Sequence, residues 1–280
     1  MIINLAKSAG FCFGVKRALD IAFKTTGVGV RVFMLGDIVH NEDVMEEISK
    51  AGIKKISCLS CGKGKTLLIR AHGACIATLK KAAASGYRIV DATCPMVKEI
   101  HKIAQEMEKK GYAIIIIGDR KHDEVHGIIG QLKNKALVID SSGAIPLAKI
   151  KMIKKAAVVS QSTQNLQKVT AIVKKLKLYI KEVKFFNTIC RPTRIKQQEI
   201  KIMPLENDVM VIIGSKASAN TRRLFEISKA LNKRTYWIKS ELEMNPLWFR
   251  KAKTVGITAG ASTPEWITKK VIRRIKLFHL

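Results

Sequence analysis

Acidic and aromatic residues are both scarce in this sequence, and the two shortages narrow the classes of function. Asp and Glu number 22 against 51 Lys and Arg, so the 280 residues carry a formal net charge of +29. Such a balance first indicates a nucleic-acid binder, an anionic-membrane binder or an enzyme that handles anionic substrates. Aromatic residues make up only 6% of the chain, and no nucleic-acid recognition motif occurs. A nucleic-acid-associated protein therefore stays only as an alternative, and we expect no specific nucleic-acid partner.

Long apolar runs and an export signal are also missing. The longest apolar runs, such as Ala113 to Ile117 and Val209 to Ile213, are far too short to span a bilayer. The first seven residues lack the basic-then-apolar order of a secretory signal. We therefore expect a cytoplasmic protein without a membrane span. In that reducing compartment the six cysteines are expected to be reduced thiols or metal ligands rather than disulfides.

The chain has no Pro-rich or low-complexity segment, and short β-branched runs alternate with amphipathic helical patterns throughout. This alternation predicts an α/β fold with mainly parallel sheets. The predicted strands are Arg31 to Leu35, Leu67 to Arg70, Ala113 to Ile117, Ala156 to Ser160, Val209 to Ile213 and Thr254 to Thr258. Lys98 to Lys110 is the clearest predicted helix, because its apolar residues recur at helical spacing before Gly111.

The predicted strands end in two alternating ways. Three of them run into a glycine followed by polar residues, at Gly36, Gly118 and Gly214, and the other three end in small or polar segments. Each strand of the first kind is followed by one of the second kind after roughly 35 to 45 residues, which suits a βαβ unit. Because the carboxyl ends of parallel strands bind ligands in such sheets, the strand ends are the candidate site.

Three cysteines follow the same pattern along the chain. Cys12, Cys94 and Cys190 each precede a predicted helix. Those helices are Val15 to Lys24, Pro95 to Lys110 and Thr193 to Lys201. We infer three similar α/β units, spanning 13–94, 95–190 and 191–280 with 1–12, whose cysteines meet near a common centre. Three thiolates without a fourth protein ligand suit an iron–sulfur cluster with one open iron, or a catalytic zinc with one open position. A zinc hydrolase therefore stays open as an alternative.

The remaining cysteines, Cys58, Cys61 and Cys75, are interpreted as loop or incidental thiols. No second CxxC or CxxH follows Cys58-Leu-Ser-Cys61 at zinc-finger spacing. The adjacent Gly62-Lys-Gly-Lys-Thr66 imitates the end of a phosphate-binding loop, but Leu59 occupies the place of the first glycine, so we reject that motif.

Polar side chains gather at the predicted strand ends. They are His40, His72, His122, Ser218, Asn220 and Ser262. Imidazoles, hydroxyls, amides and the backbone N–H groups of glycine turns are the donors that a diphosphate needs. Glu124 follows His122 by two residues, and a carboxylate there can shuttle protons if burial raises its pKa.

Taken together, these motifs resemble the 4-hydroxy-3-methylbut-2-enyl diphosphate reductase (IspH/LytB) family. The matching segments occur in the family's order across essentially the whole chain. They are Gly10-Phe-Cys-Phe-Gly-Val-Lys-Arg17, Gly36-Asp-Ile-Val-His-Asn41, Ala71-His-Gly73, Asp91-Ala-Thr-Cys-Pro95, His122-Asp-Glu-Val125, Ser160-Gln-Ser-Thr163, Thr188-Ile-Cys190, Gly214-Ser-Lys-Ala-Ser-Ala-Asn220 and Thr258-Ala-Gly-Ala-Ser262.

The resemblance implies a trefoil of three α/β units around a central [4Fe–4S] cluster, with Cys12, Cys94 and Cys190 as its ligands. The fourth iron would take the allylic hydroxyl of (E)-4-hydroxy-3-methylbut-2-enyl diphosphate. Two electrons and protons would then remove that hydroxyl as water, giving isopentenyl and dimethylallyl diphosphates in the last step of the non-mevalonate isoprenoid pathway. Reduced ferredoxin or a flavodoxin-type protein, both commonly acidic, would supply the electrons.

The resemblance also assigns roles to individual side chains. The diphosphate would be held by the six strand-end residues, which are His40, His72, His122, Ser218, Asn220 and Ser262. Glu124 would deliver protons, and the hydroxyl of Ser162 would support the alcohol end of the substrate.

The chain departs from the family's usual residues at several of these places. Ser162 stands for Thr, Ala219 for Ser, Arg120-Lys-His-Asp123 for Gly-His-Pro, His126 for Glu, Pro192 for Ala and Lys196 for Arg. The large positive charge is interpreted as a solvated lysine-rich surface that steers an acidic electron donor and the diphosphate.

Overall fold

A computed structural model describes residues 1–27, 29–140 and 145–278, and its strands and helices alternate along the chain. The strands are β1 (Ile2–Leu5), β2 (Arg31–Leu35), β3 (Ile53–Ile56), β4 (Lys65–Ile69), β5 (Arg88–Asp91), β6 (Ala113–Ile117), β7 (Leu137–Ile139), β8 (Lys155–Ser160), β9 (Glu182–Phe185), β10 (Val209–Ile213), β11 (Thr235–Ile238) and β12 (Thr254–Ala259).

The helices follow the strands in the order that βαβ units require. They are α1 (Phe13–Thr25), α2 (Glu42–Lys50), α3 (Ile76–Ala84), α4 (Pro95–Lys109), α5 (Asp123–Ile129), α6 (Leu147–Ile150), α7 (Leu166–Leu176), α8 (Arg191–Glu206), α9 (Ala219–Leu231) and α10 (Glu265–Leu277), with 3₁₀ turns at Glu241–Glu243 and Pro246–Phe249.

These strands form three four-stranded sheets. Their strand orders are β1-β12-β10-β11, β3-β2-β4-β5 and β7-β6-β8-β9. Every strand pairing in them is parallel. The predicted α/β class with parallel sheets is therefore confirmed.

The six strands predicted from the sequence are the two central strands of each sheet, and the six that were not predicted are the edges. A central parallel strand is covered by helices on both faces and reads as a continuous apolar run. In β10 every residue from Val209 to Ile213 is buried, whereas edge strand β3 has one buried residue, Ile53, followed by two exposed lysines. The edges therefore lack the apolar run that marks a strand in a sequence.

Contacts divide the chain into two compact lobes. The single-sheet lobe comprises Met1–Lys16, Val39–Glu47 and Arg191–Leu280, and it contains the sheet of β1, β10, β11 and β12. The two-sheet lobe comprises Arg17–Ile38 and Ile48–Cys190, and it contains the other two sheets. The finer division into units at 13–94, 95–190 and 191–280 with 1–12 stays a prediction.

Each of the three cysteine-led helices begins at the residue directly after its cysteine. Helix α1 begins at Phe13, α4 at Pro95 and α8 at Arg191. Two of these starts were placed two residues too late by apolar periodicity, and α8 ends at Glu206 rather than Lys201. Periodicity fails here because the first turn of a helix follows its cap and need not contain an apolar residue.

Among the described residues, no helix combines the length and the apolar composition that crossing a bilayer requires.

Candidate active site

The best-defined polar pair in the two-sheet lobe joins Glu124 to Ser162. Glu124 lies in the first turn of α5, after β6, and Ser162 lies just beyond the end of β8, the strand that pairs with β6. The backbone N–H of Ser162 donates to Oε1 of Glu124 at 2.6 Å, and the Ser162 hydroxyl donates to Oε2 at 2.7 Å. Glu124 is only 2% exposed and Ser162 only 7%. Both oxygens of a buried carboxyl group therefore face one residue.

Burial raises the pKa of the Glu124 carboxyl above its ordinary value. The two hydrogen bonds from Ser162 favour the ionised form and oppose that shift, but the loss of hydration is the larger effect. A carboxyl group with a raised pKa can hold a proton near neutral pH and release it to a partner. The role of Glu124 as a proton donor stays a prediction, and its burial meets the condition on which that prediction depends.

His122 precedes α5 and caps it with its ring. Its Nδ1 accepts a hydrogen bond from the backbone N–H of Glu124 at 3.1 Å. A neutral imidazole whose Nδ1 accepts carries its proton on Nε2, which makes Nε2 a donor. The ring meets His72 edge to face, with centroids 5.4 Å apart. The structure thus brings His72 and His122 together, and His122 contacts the backbone of Glu124.

Asp123, which replaces a residue of the family's usual Gly-His-Pro, ties this helix to β4. Its Oδ2 accepts from Nη1 of Arg70 at 2.7 Å, and both side chains are largely shielded from water. Gly36 makes room for the arginine, because a Cβ at that position would lie 2.5 Å from the same Nη1. The Arg70–Asp123 pair therefore fixes the start of α5 relative to the strand end that leads to His72.

Cys94 and Cys190 are both anchored by backbone hydrogen bonds within the two-sheet lobe. The N–H of Cys94 donates to the carbonyl of Ala71 at 3.0 Å, next to His72. The N–H of Cys190 donates to the carbonyl of Ser162 at 3.0 Å. Thr188 adds a second tie, since its hydroxyl donates to the carbonyl of Ser160 at 2.6 Å. Each cysteine is therefore fixed to a strand end that carries a candidate site residue.

Cys12 lies in the single-sheet lobe, in a loop that a buried lysine holds from α8. The Cys12 N–H donates to the carbonyl of Ala261 at 3.1 Å. The Nζ of Lys196 donates to the carbonyls of Gly10 and Ala259, each at 3.0 Å, and also to that of Ser8. An ammonium group has three donors, and here each has a backbone acceptor.

A second residue of α8 completes this clamp. Glu199 accepts hydrogen bonds from the backbone N–H and the hydroxyl of Ser8. Lys196 and Glu199 are three residues apart, so they project from one side of the helix. Sequence reasoning noted Lys196 only as a departure from arginine, and nothing in the spacing of the chain indicates that the pair holds the segment before Cys12.

Four diphosphate-site candidates lie in the single-sheet lobe. The Ser262 hydroxyl donates to the carbonyl of His40 at 3.1 Å, so the structure brings these two residues together. Ser218 caps α9 by accepting from the N–H of Thr221 at 3.3 Å. Asn220 is buried in the first turn of the same helix, and its Nδ2 meets no hydrogen-bond partner in the described part of the chain. Because a buried amide donor without an acceptor is costly, Asn220 suits a bound acceptor such as an anionic oxygen.

His101 is a buried residue of α4 that was not among the candidates predicted from the sequence. Its side chain is 8% exposed, and within the described residues its Nε2 has no hydrogen-bond partner. A Cβ at Gly73 would lie 2.9 Å from Cε1 of the ring, and one at Gly127 would lie 3.5 Å from Nε2. The ring therefore packs against the residue after His72 and against the helix that carries Glu124.

We expect His101 to make the protein less stable in mild acid. Burial lowers the pKa of His101 from 6.5 to about 4, opposed by Asp91 and assisted by Lys98. As the pH falls below the unfolded pKa, the unfolded chain binds a proton that the folded protein does not. The free energy of unfolding should drop by about 1–2 kcal/mol between pH 7 and pH 5 on this account. Denaturant titrations at both pH values should show a smaller drop for His101→Gln, and equal drops for both proteins would contradict the prediction.

The other three cysteines differ from Cys12, Cys94 and Cys190 in their surroundings. Cys58 and Cys61 are exposed in the segment between β3 and β4, whereas Cys12, Cys94 and Cys190 are half-buried. Cys75 is half-buried too, but its Sγ donates to the carbonyl of His126 at 3.6 Å. No disulfide joins any two cysteines within the described residues. Cys75 shares both the half-burial and the position before a helix, because α3 begins at Ile76. Cys12, Cys94 and Cys190 are distinguished by their place in the repeated α/β pattern of the sequence, and three such thiols suit a soft metal centre.

Comparisons with known proteins agree along the whole length of the chain. A family model described as LytB protein matches residues 3–276. The 4-hydroxy-3-methylbut-2-enyl diphosphate reductase of Geobacter sulfurreducens is 40% identical over 278 residues, covering 99% of this chain and 98% of that protein. The reductase of the same name from Aquifex aeolicus is 39% identical over 278 residues, covering 98% and 96%.

Solved structures give the same answer for the fold. One is the structure of (E)-4-hydroxy-3-methyl-but-2-enyl diphosphate reductase, the terminal enzyme of the non-mevalonate pathway. It has a TM-score of 0.73 and 38% identity, and the match covers 99% of this chain and 100% of that one. The E-1-hydroxy-2-methyl-but-2-enyl-4-diphosphate reductase from Plasmodium falciparum has a TM-score of 0.88 at 26% identity, covering 97% and 87%.

Proposed function

Because this chain belongs to the LytB protein family, we propose that it reduces (E)-4-hydroxy-3-methylbut-2-enyl diphosphate to isopentenyl and dimethylallyl diphosphates. The resemblance inferred from the sequence is confirmed at the level of the family, whose reductase is the terminal enzyme of the non-mevalonate pathway. The observation that carries the proposal is the buried Glu124–Ser162 pair, which combines a carboxyl group of raised pKa with a hydroxyl in hydrogen-bond contact.

The family is one of iron–sulfur oxidoreductases, and the chain's own thiols fit such a group. We propose a [4Fe–4S] cluster with Cys12, Cys94 and Cys190 as its three protein ligands. Each of them is half-buried and directly precedes a helix, and the positive end of a helix dipole stabilises a thiolate. When bound, the cluster supplies single electrons and a Lewis-acidic iron open to the substrate's alcohol oxygen. Family membership favours this assignment over the zinc hydrolase alternative.

In the proposed reaction Glu124 and Ser162 form a short proton relay. Burial favours the protonated carboxyl group, so Glu124 can hold a proton at Oε2, where the Ser162 hydroxyl lies 2.7 Å away. When the carboxyl group is protonated, the hydrogen bond reverses and the serine oxygen accepts. The serine proton can then pass to the substrate's hydroxyl, which leaves as water, while Glu124 gives its proton to serine. The Ser162 N–H keeps the carboxyl group in place during this exchange.

The strand-end histidines, hydroxyls and amide are proposed as the donors to the diphosphate. In the two-sheet lobe, His122 is held by its contact with the Glu124 N–H in the tautomer whose Nε2 donates, and His72 packs on its ring. In the single-sheet lobe, the unpaired Nδ2 of Asn220 supports the assignment most directly, and His40, Ser218 and Ser262 accompany it.

Anaerobic purification followed by chemical analysis tests this function. We expect about four iron and four sulfide ions per chain. We also expect conversion of the hydroxylated diphosphate to both products when methyl viologen reduced by dithionite supplies electrons. The products are separated from substrate by mass spectrometry. Zinc without iron and sulfide, or a loaded protein that leaves the substrate unchanged, would overturn the proposal.

A further inference from the structure

Helix α8 exposes an apolar stripe that no other part of the described chain covers. Ile195, Ile202 and Leu205 are 39%, 55% and 69% exposed. Ile202 follows Ile195 by seven residues and Leu205 follows it by ten, which places all three on one side of the helix. Arg191, Arg194 and Gln198 are exposed on the same side. We call these six residues the α8 outer face.

The opposite side of the same helix is packed. Thr193, Lys196, Gln197 and Ile200 are buried there, and α8 contacts α9, β10 and β12 within the single-sheet lobe. The exposed stripe therefore belongs to a helix whose other side is packed into the core of the single-sheet lobe. Contiguous exposed apolar side chains at helical spacing mark an interaction surface more often than scattered ones do.

The α8 outer face begins beside the proposed cluster ligands. Arg191 directly follows Cys190, and Lys196 holds the loop that leads to Cys12 through the carbonyls of Ser8 and Gly10. A protein that contacts the first turn of α8 is thus within a few residues of the proposed ligand Cys190 along the chain, whereas Lys196 reaches the Cys12 loop from the buried side of the helix.

The charge of the α8 outer face indicates the chemical character of a protein that would bind there. Arg191 and Arg194 lie at its start, and half-buried Lys201 flanks Ile202. Of the two carboxylates of the helix, Glu199 accepts from Ser8, whereas exposed Glu206 lies four residues after Ile202 on the same side. The face therefore carries two arginines near its start and one carboxylate at its end. The whole chain also carries a net charge of +29. An acidic partner with a few apolar contacts is the complement of such a surface.

We propose that the α8 outer face docks an acidic, ferredoxin-type electron carrier. The inference rests on the proposed function, because that reaction consumes two electrons that the chain does not generate. Two reduced carriers each lose one electron, two protons are taken up, the carbon–oxygen bond to the hydroxyl breaks, and water leaves while a carbon–hydrogen bond forms. Electron-transfer complexes are small and transient, with interfaces below about 1,200 Å² in total, so a patch on one helix suffices as their centre.

The test compares two double variants with equal changes of charge. The first, Arg194→Glu with Ile202→Glu, reverses one cation and removes one apolar contact on the α8 outer face. The control, Lys174→Glu with Leu178→Glu, makes the same changes at exposed residues near the carboxyl end of α7. Glutamate is a good helix former, so neither variant should unfold its helix. Iron content and turnover with reduced methyl viologen check that each loaded enzyme is intact.

With a reduced acidic ferredoxin as donor, the outer-face variant should lose kcat/KM on the order of tenfold at low salt, and the control should lose much less. With methyl viologen both should match the unmodified enzyme. Titration of the loaded proteins with oxidised ferredoxin should show weaker binding for the outer-face variant only, and this readout does not depend on turnover. Equal ferredoxin rates and affinities in the two variants would overturn the docking proposal.

Two other outcomes separate the docking from its alternatives. Loaded enzyme that binds ferredoxin at the α8 outer face but converts no substrate would refute the proposed function and leave the docking standing. A second copy of the chain is the competing occupant of this face. Sedimentation that shows a dimer for the unmodified enzyme and a monomer for the outer-face variant, with unchanged ferredoxin kinetics, would overturn the proposal.

Discussion

Replacing Glu124 by glutamine should leave the iron and sulfide content unchanged and reduce turnover by about 10²–10⁴-fold. The amide has nearly the same shape as the carboxyl group and can still accept from the N–H of Ser162. It cannot release a proton to the serine oxygen, so the departing hydroxyl loses its acid. Single-turnover rates with methyl viologen, measured on fully loaded protein, isolate this step from electron delivery.

The matched control is Glu106→Gln, at an exposed carboxylate of α4 that pairs loosely with Lys102. It should retain the full rate because it alters the same functional group away from the proposed relay. A Glu124→Gln enzyme that turned over as fast as the control would exclude Glu124 as the proton donor.

The pH profile supplies a second readout of the same relay. Because the protonated carboxyl group is the active form, the rate should fall as the pH rises through the raised pKa of Glu124. Ser162→Ala removes a hydrogen bond that favours the ionised carboxylate. The variant should be slower because it lacks the hydroxyl of the proposed relay. Its pKa at Glu124 should be higher still, so the falling limb of its pH–rate profile should move to higher pH. A limb that moved to lower pH, or stayed in place, would contradict the pairing of Glu124 with Ser162.

Replacing Cys94 by alanine should abolish the cofactor and reduce turnover to background. The residue caps α4 and is held by the carbonyl of Ala71, so its side chain is placed by backbone contacts that alanine preserves. The fold of the two-sheet lobe should therefore survive, as circular dichroism would show. The variant lacks one of the three proposed thiolate ligands, and a metal centre held by so few protein ligands does not tolerate that loss.

Cys61→Ala provides the comparison, because that cysteine is exposed and lies outside the family's pattern. After anaerobic reconstitution it should contain as much iron and sulfide as the unmodified protein. Cys94→Ala protein with unchanged iron and sulfide would remove Cys94 from the ligand set.

The predictability of the fold depended on burial. The central strands of all three sheets stand out in the sequence because both of their faces are covered, as Val209 to Ile213 illustrates. The edge strands could not be predicted, since a segment such as Ile53–Ile56 carries two exposed lysines in four residues. The starts of α1, α4 and α8 were better marked by their cysteines than by apolar periodicity.

The predictability of the site depended on whether a contact is local. Glu124 and His122 are two residues apart, so their neighbourhood could be inferred from one segment. The pairing of Glu124 with Ser162 spans 38 residues and depends on β6 lying beside β8. The clamp of Lys196 on Gly10 spans 186 residues, and no pattern within either segment encodes it. The family resemblance implied roles for Glu124, His122 and Ser162 but gave no contact of theirs, and it implied no role for Lys196.

The order in which the ribosome makes this chain separates its ligand-bearing segments in time. Within the described residues, strand β1 pairs with β12 alone, and the Cys12 loop is held by Ala259 and by Lys196. Synthesis of the residues between Cys12 and Ala259 takes roughly 12 to 50 s at typical elongation rates. The two-sheet lobe, with Cys94 and Cys190, is complete at residue 190 and can fold first. The Cys12 segment reaches its folded position only near the end of synthesis, so the three proposed ligands can come together only once the chain is almost complete.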